Sequence, residues 1–427
     1  MLLLLSGLLL VGACGDAAAP GNPTSPDPGT PPTWPGRIDD TPGAVRWSQV
    51  SAGAFASCAT DAAGRAYCWG EESAPTCGDA SCLTSVAPRA VRATEPVVAV
   101  GTMGRHACGL TAAGELSCWG ATSGTSLGDG VTTRSATPVP VPLPAAVAQL
   151  SVGADRTCAL DVTGTAYCWG RGRGALGAGS DVTESPVPLR VRATVAFRTI
   201  SVGNTQTCAI DVSDDAYCWG TGYGSLGIGD RDTDCALGPS CFDANTPQLV
   251  AGGLKWAQLS AGNGFTCGVT VDARGYCWGD VRSSSDPYGP LGVLGSGALR
   301  GSKAPVAVAG ELRFRSIHAG VRHACGLTTD GAAYCWGANR SGQLGIGRVD
   351  ALATLPSNAG RNPTPQRVTG GLRFERLSVG EATCGVTVGG NLFCWGLNFA
   401  GLLGIGSSTV NLVPVPTRVA NPVGLHP

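Results

Sequence analysis

The sequence predicts an all-β fold, a seven-bladed β-propeller of four-stranded antiparallel blades, and three observations carry the prediction. The pattern Cys, nine residues, Cys-Trp-Gly occurs seven times, at Cys58/Cys68, Cys108/Cys118, Cys158/Cys168, Cys208/Cys218, Cys267/Cys277, Cys325/Cys335 and Cys384/Cys394. The second cysteines stand 50, 50, 50, 59, 58 and 59 residues apart. A period of this size marks an array whose units bury their faces only against one another. Each unit also holds about four short strand-like runs parted by turn residues, the content of one propeller blade.

The N-terminus comes first in order. Met1 to Leu10 is an apolar run, too short to span a bilayer as a mature helix, and it ends in Val11-Gly12-Ala13-Cys14. Small residues directly before a cysteine resemble the lipobox of a bacterial lipoprotein. This implies a signal peptide over 1–14, lipid on Cys14, and a lipid-anchored place in the bacterial cell envelope at the outer membrane, facing periplasm or exterior. A plain secretory signal, with Cys14 incidental, is the competing reading. Residues 15–44 are dense in Pro, Gly, Ala, Thr and Asp and predict a disordered tether.

The repeats occupy 45–420, in units near 46–95, 96–146, 147–195, 196–253, 254–311, 312–371 and 372–419, before a tail over 421–427. Gly accounts for 65 of 427 residues and charged residues for only 14%, which suits short strands and tight turns. The net charge is −1 and no block is strongly basic, so nucleic acid is not an expected partner. The first unit starts at Trp47 without a Pro-initiated strand, while the chain ends with one at Pro416-Thr417-Arg418-Val419. This pairing of deficits predicts that the C-terminal strand completes the first blade and closes the ring.

Nineteen cysteines, less Cys14, leave eighteen: the seven repeat pairs, Cys77/Cys82 and Cys235/Cys241. Exported chains mature where disulfides persist. Structural zinc uses much shorter Cys spacings, often with His, and does not fit the repeat. In the first unit, Ala62-Ala63-Gly64 forms a three-residue hairpin turn that sets Cys58 opposite Cys68, with Cα atoms about 4.5 Å apart and within disulfide reach. The third turn position wants a left-handed residue, and Gly64, Gly114, Gly164, Gly331 and Gly390 supply one. Asp214 and Ala273 depart, which predicts a differently shaped fifth turn near Gly275.

The sixth unit reads Gly320-Val321-Arg322-His323-Ala324-Cys325-Gly326-Leu327, then Thr328-Thr329-Asp330-Gly331 and Ala332-Ala333-Tyr334-Cys335-Trp336-Gly337, and later Gly342-Gln343-Leu344-Gly345. This resembles the repeat of the regulator-of-chromosome-condensation family, whose fold is a seven-bladed propeller. The family includes a nucleotide-exchange factor, a plant ultraviolet sensor and a secreted bacterial enzyme inhibitor. The repeat positions carry none of the exchange activity over. The matching stretch Gly320-Val321-Arg322-His323-Ala324 lacks the plant protein's chromophore tryptophan. The repeated Trp69, Trp119, Trp169, Trp219, Trp278, Trp336 and Trp395 recur at one place in every blade and predict inter-blade packing.

Candidate binding residues lie in the longer connectors of units four to six: Arg231 and Phe242; Arg282, Asp286 and Tyr288; Arg348 and Asp350. Asp230, Asp232 and Asp234 alternate like the first half of a calcium loop, without its Gly or its final Glu, so calcium is a possible ligand and no cofactor is required. No Ser, His and Asp spacing suggests a catalytic triad. The expectation is a monomeric, non-catalytic envelope scaffold that binds a protein or glycan through rim loops. A secreted enzyme inhibitor and an envelope polysaccharide hydrolase or lyase are the alternatives.

Overall fold

The computed structural model describes residues 36–71, 85–121, 127–132, 134–179, 182–222, 224–229, 243–279, 291–350 and 361–423. Among these, seven antiparallel sheets of four strands each form seven blades, every one in sequential strand order. In blade 1 the strands are Trp47–Ala52, Ala56–Asp61, Ala66–Gly70 and Ser85–Ala90, running from the channel outward. The turns after the inner strands and the connectors between third and outer strands share one face, here the upper face. The hairpin turns between second and third strands, and the links between blades, share the lower face.

The hairpins place the cysteines in register. Cys58 stands opposite Cys68, Cys108 opposite Cys118, Cys158 opposite Cys168 and Cys208 opposite Cys218. Cys267 faces Cys277, Cys325 faces Cys335 and Cys384 faces Cys394 in the same way. Seven disulfides follow, with Cα atoms 4.0 to 4.1 Å apart, slightly closer than the separation expected of such a pair. All fourteen of these cysteines are fully buried.

The second cysteine of each pair has a further neighbour. It lies in a central strand with a partner on its other side as well. Cys118 also opposes Val139, Cys218 opposes Gln248 and Cys277 opposes Val306, and the register shifts directly after each of the three. Each bridge is therefore enclosed within its sheet, and Cys118, Cys218 and Cys277 are structural rather than exposed to a ligand. Cys14, Cys77, Cys82, Cys235 and Cys241 lie outside the described residues.

The fifth turn does not differ from its fellows. Ala273 takes φ 66°, and Asp214 takes φ 65°, beside 79° at Gly64. The ladder and the turn's own hydrogen bonds, Ala273 N–H to Thr270 and Thr270 N–H to Arg274, hold the left-handed conformation in a residue that disfavours it.

Each blade then packs on the next through the tryptophan after its second cysteine. Trp219 is fully buried, lies in one cluster with Cys158, Cys168 and Leu176 of the preceding blade, and donates Nε1–H to the carbonyl of Ala175 at 3.0 Å. Trp278 and Trp336 repeat this with Ser225 and Val293. The Leu-Gly step beyond each Trp-Gly explains itself here. A Cβ on Gly227 would stand 2.5 Å from Trp278 Nε1, so only glycine lets the next blade's indole lie flat. The tryptophans are seam residues, in line with the packing reading.

Ring closure differs from the expected strand donation. The C-terminal strand Leu412–Arg418 pairs with Leu392–Leu397 inside blade 7, and blade 1 obtains its outer strand, Ser85–Ala90, from its own repeat. The ring instead closes by the ordinary blade-to-blade seam. Trp69 donates to the Leu402 carbonyl at 2.9 Å, in a cluster holding Trp47, Tyr67, Cys384 and Cys394. The segment after the last strand also reaches blade 1, where Val423 N–H donates to Pro88 O at 2.9 Å.

A further correction concerns the tether. Its last residues are docked on the lower face rather than disordered. Ile38 N–H donates to Gly370 O at 3.0 Å, and Gly43 N–H donates to Asn391 Oδ1 at 2.9 Å. Arg418 donates to the carbonyl of Thr41 at 2.6 Å. This strap ties blade 6 to blade 7 and delivers the chain to Trp47. Composition hid it, because its partners are main-chain groups and an asparagine hundreds of residues away.

Candidate functional site

The repeat itself is the background against which a site stands out. In four blades the residue two before the first repeat cysteine reaches over the seam into the following blade with a polar side chain. His106 Nε2 pairs with Thr157 Oγ1 at 2.9 Å, and His323 Nε2 with Thr383 Oγ1 at 2.7 Å. Arg156 donates to the carbonyls of Gly203, Asn204 and Gln206 at 2.9 to 3.0 Å. Gln206 Nε2 donates to Phe265 O at 2.9 Å and Thr266 Oγ1 at 3.2 Å. All four clasps are buried. Burial lowers the pKa of His106 to about 4 and of His323 to about 3, so both histidines are neutral structural groups; it lowers that of Arg156 to about 10, against the opposing charge of Asp155.

In blades 7 and 1 the clasp position is taken by Ala382 and Ala56, both fully buried. Blade 7 is also one residue shorter in its upper turn: Gly380 N–H bonds to Ala382 O, where Gly320 N–H reaches His323 O. With the long clasp missing and the turn shortened, a cavity of about 290 Å³ opens on the upper face among blades 6, 7 and 1. Phe55, Arg322, Arg340, Gln343, Glu381 and Phe399 are among its lining residues.

Its electrostatics are mixed. Burial raises the Glu381 pKa above the ordinary carboxyl value, while the nearby positive charge of Arg322 acts in the opposite direction. Phe55 is 40% exposed and Phe399 63%, so two phenyl rings stand open at the mouth. The Arg105 guanidinium lies 5.2 Å above the Phe55 ring and also pairs with Glu71 at 3.4 Å. Phenylalanine and arginine are both enriched in the cores of protein interfaces.

Of the binding residues singled out from sequence, only Arg348 and Asp350 are described. Asp350 is not offered to a partner. Its carboxylate accepts from Asn362 Nδ2 at 3.0 Å, Asn339 Nδ2 at 3.2 Å and Arg348 Nε at 3.0 Å, and it is 8% exposed. It braces the blade 6 connector, as Asn398 braces that of blade 7 by donating to Ser407 O and Val410 O. Arg231, Phe242, Arg282, Asp286, Tyr288 and the calcium candidates Asp230, Asp232 and Asp234 lie outside the described residues. The flanking strand ends, Thr221 and Asp243, Gly279 and Ser302, Ala338 and Arg361, all lie on the upper face.

The cavity residues Phe55, Glu381 and Phe399 were missed in sequence. One signal was visible: five steps separate Gly320 from Cys325, but only four separate Gly380 from Cys384. Among the described residues, no helix is long and apolar enough to cross a membrane. Seven buried disulfides mark the chain as extracytoplasmic.

Comparison with known proteins agrees with this architecture. Models of the regulator of chromosome condensation (RCC1) repeat match residues 147–173, 314–343 and 330–387. The ultraviolet-B receptor UVR8 of Arabidopsis thaliana is 31% identical over 180 residues, covering 37% of this chain and 36% of that protein. The human E3 ubiquitin-protein ligase HERC2 is 28% identical over 175 residues, 39% of this chain but 3% of the ligase. The chain thus spans about a third of the first relative and a small fraction of the second. Among solved structures, Prp20p of Saccharomyces cerevisiae superposes with a TM-score of 0.69 at 20% identity, covering 91% of each chain. Human WBSCR16 gives a TM-score of 0.66 at 19% identity, over 80% of this chain and 86% of the other. Seven repeats folded as seven four-stranded blades, with the repeat models matched over residues 147–173 and 314–387, show a propeller that carries RCC1 repeats, in a disulfide-stapled form.

Proposed function

We propose that the protein is a non-catalytic recognition scaffold of the bacterial cell envelope, tethered by lipid on Cys14, that binds a protein partner through the upper face of its propeller. One observation carries the reading: the cavity with its open Phe55 and Phe399 lies on the same face as the strand ends from which the long segments of blades 4, 5 and 6 leave. The docked strap lies on the opposite face and leaves the upper face uncovered. UVR8 is a receptor and HERC2 a ubiquitin ligase, and the RCC1-like propeller is a fold with protein-binding roles among its relatives.

The cavity chemistry favours recognition over turnover. Glycoside hydrolysis needs a pair of carboxyl groups across the scissile bond, and Glu381 is the one acid among the described lining residues. At about 290 Å³ the cavity is also at the lower limit for a small-molecule site and fits one or two side chains. A secreted enzyme inhibitor is the special case in which the partner is an enzyme.

The test is cross-linked co-purification of the tagged, acylated protein from its own envelope. A control with segments 231–242, 281–290 and 351–360 shortened runs beside it. One stoichiometric partner, lost in the control, is the expected result. No partner in either sample moves the reading to glycan binding or enzymology.

A further inference from the structure

The inner strands carry a second repeated device, at the wall of the central channel. In blades 4 and 5 their third and fifth residues are half-buried, while the fourth and sixth are buried. The fifth residue latches one blade to the next. Ser151 Oγ accepts from Val202 N–H, Ser201 Oγ from Ala261 N–H and Ser260 Oγ from Ala319 N–H, each at 2.9 Å. Two residues earlier, Gln149 Oε1 accepts from Ile200 N–H at 3.0 Å and its Nε2 donates to Ile200 O at 3.3 Å. Gln258 spans to Ile317 in the same way, at 3.1 and 2.9 Å. A side-chain amide here supplies what a neighbouring strand would, an acceptor for the N–H and a donor for the carbonyl.

Blade 7 keeps the serine latch and loses the amide one. Ala52 N–H donates to Ser378 Oγ at 2.8 Å, which fixes the register of blade 7 on blade 1. Two residues earlier, this register sets Arg376 against Val50, where blade 3 sets Gln149 against Ile200. Val50 pairs with Ala59 as Ile200 pairs with Ala209, so its N–H points away from its own hairpin toward the open edge. Arginine carries five donors and no acceptor, and cannot receive that N–H. Arg376 is exposed, and among the described residues its guanidinium has no ion pair or hydrogen bond. Gln49, third in blade 1, is also unlatched among the described residues, so its amide is a further free donor in this wall.

Charge points the same way. No Asp or Glu stands third or fifth in any of the inner strands, and Arg376 is the one Arg or Lys at those positions. A fixed positive charge beside an open main-chain N–H, with no carboxylate at these positions, is complementary to an anion. We propose that the channel wall at the seam of blades 7 and 1 binds a small oxyanion, a carboxylate or a phosphate, held by the Arg376 guanidinium and Val50 N–H. The anion supplies the acceptor that Gln149 and Gln258 supply at their own seams.

The test titrates inorganic phosphate and, separately, acetate into the full disulfide-bonded protein by isothermal calorimetry, at an ionic strength held constant with chloride. Saturable one-site binding of at least one of them is expected, and the one that binds names the oxyanion. Binding weakens at least about tenfold in Arg376→Ala, the loss expected of a charge-assisted hydrogen bond. It weakens as much in Arg376→Gln, which with chloride alone also melts above Arg376→Ala because the amide completes the latch. Absence of saturable binding in the parent, or binding that survives both substitutions, would overturn the site. A melting temperature of Arg376→Gln at or below that of Arg376→Ala would overturn the register on which it rests. None of these results bears on the recognition reading, which concerns the upper face.

Discussion

Asn391 donates from Nδ2 to the Asp40 carboxylate at 2.7 Å, joining residues 351 positions apart. Thr387 Oγ1 donates to the same carboxylate oxygen at 2.8 Å, and Asn391 also reaches the main-chain oxygens of Asp40 and Thr41. Asn391 is 2% exposed. One asparagine thus fixes the strap to the lower turn of blade 7, and the strap in turn holds blade 6 at Gly370.

Asp40→Ala therefore removes the acceptor of two side-chain hydrogen bonds and leaves Asn391 Nδ2 short of one partner. A charge-assisted bond is worth about 1.5–3 kcal/mol and part of this site is open to water, so a loss of about 2 kcal/mol is expected. Urea unfolding measures it. Limited proteolysis should also cut near residues 36–44 in the variant while sparing them in the parent. Equal protection in both would show that the strap is held by something other than this carboxylate.

The seven disulfides make a separate prediction about reduction. Each closes a span with a sequence separation of 10 and is fully buried against the next blade. In the chain-entropy model such a loop contributes about 2–3 kcal/mol per bridge. The native protein should show no reaction of these fourteen cysteines with a thiol reagent, and dithiothreitol with denaturant should lower the melting temperature by many degrees. The Cys208→Ala/Cys218→Ala double variant should lose about 2–3 kcal/mol in urea unfolding. An unchanged melting temperature after full reduction would show that blade packing, not the bridges, carries the stability.

Ala273 provides the converse test, a substitution that stabilises. It holds φ 66° in the hairpin turn of blade 5, a conformation that costs a non-glycine residue about 1–2 kcal/mol. Replacement by glycine removes that cost but raises the entropy of the unfolded chain by about 0.5–1 kcal/mol. Ala273→Gly should gain about 0.5–1 kcal/mol, read as a higher urea midpoint at unchanged slope. A loss would mean that the Ala273 methyl makes contacts worth more than the strain.

These sites show what a one-dimensional reading reaches. The hairpin that opposes Cys58 and Cys68 depends on neighbours in sequence and on alternation, so spacing alone was enough. The outer partners of Cys118, Cys218 and Cys277 were not legible, because connectors of unequal length separate them from Val139, Gln248 and Val306. The seam tryptophans were legible because a repeated residue in a repeated place must serve a repeated contact. Asp350 was misread as a rim residue because its partners Asn339 and Asn362 converge only when the connector folds back. The strap and ring closure were misread for the same reason, with partners several blades away. The cavity is harder still, since it is made by what blades 7 and 1 lack.

The clasp residues turn that repeat into a pH experiment. His106 and His323 are neutral in the fold because burial holds their pKa values at about 4 and about 3, against 6.5 when unperturbed. The unfolded chain therefore takes up these protons first. Stability is fully present above about pH 6.5 and is lost as pH falls toward 4, by up to about 3 kcal/mol for His106. Arg156, at about 10, stays charged across this window and contributes no slope there. Blade 4 already shows how to keep the clasp without the titration, since Gln206 bridges the same seam with an amide. The double substitution His106→Gln/His323→Gln should reduce the fall in melting temperature between pH 6.5 and 4, leaving the share that His318 contributes through its own pKa of about 4, and should stay close to the parent at pH 8. A parallel fall in parent and variant would assign the acid sensitivity to His318, whose pKa burial also lowers to about 4, and not to the clasps.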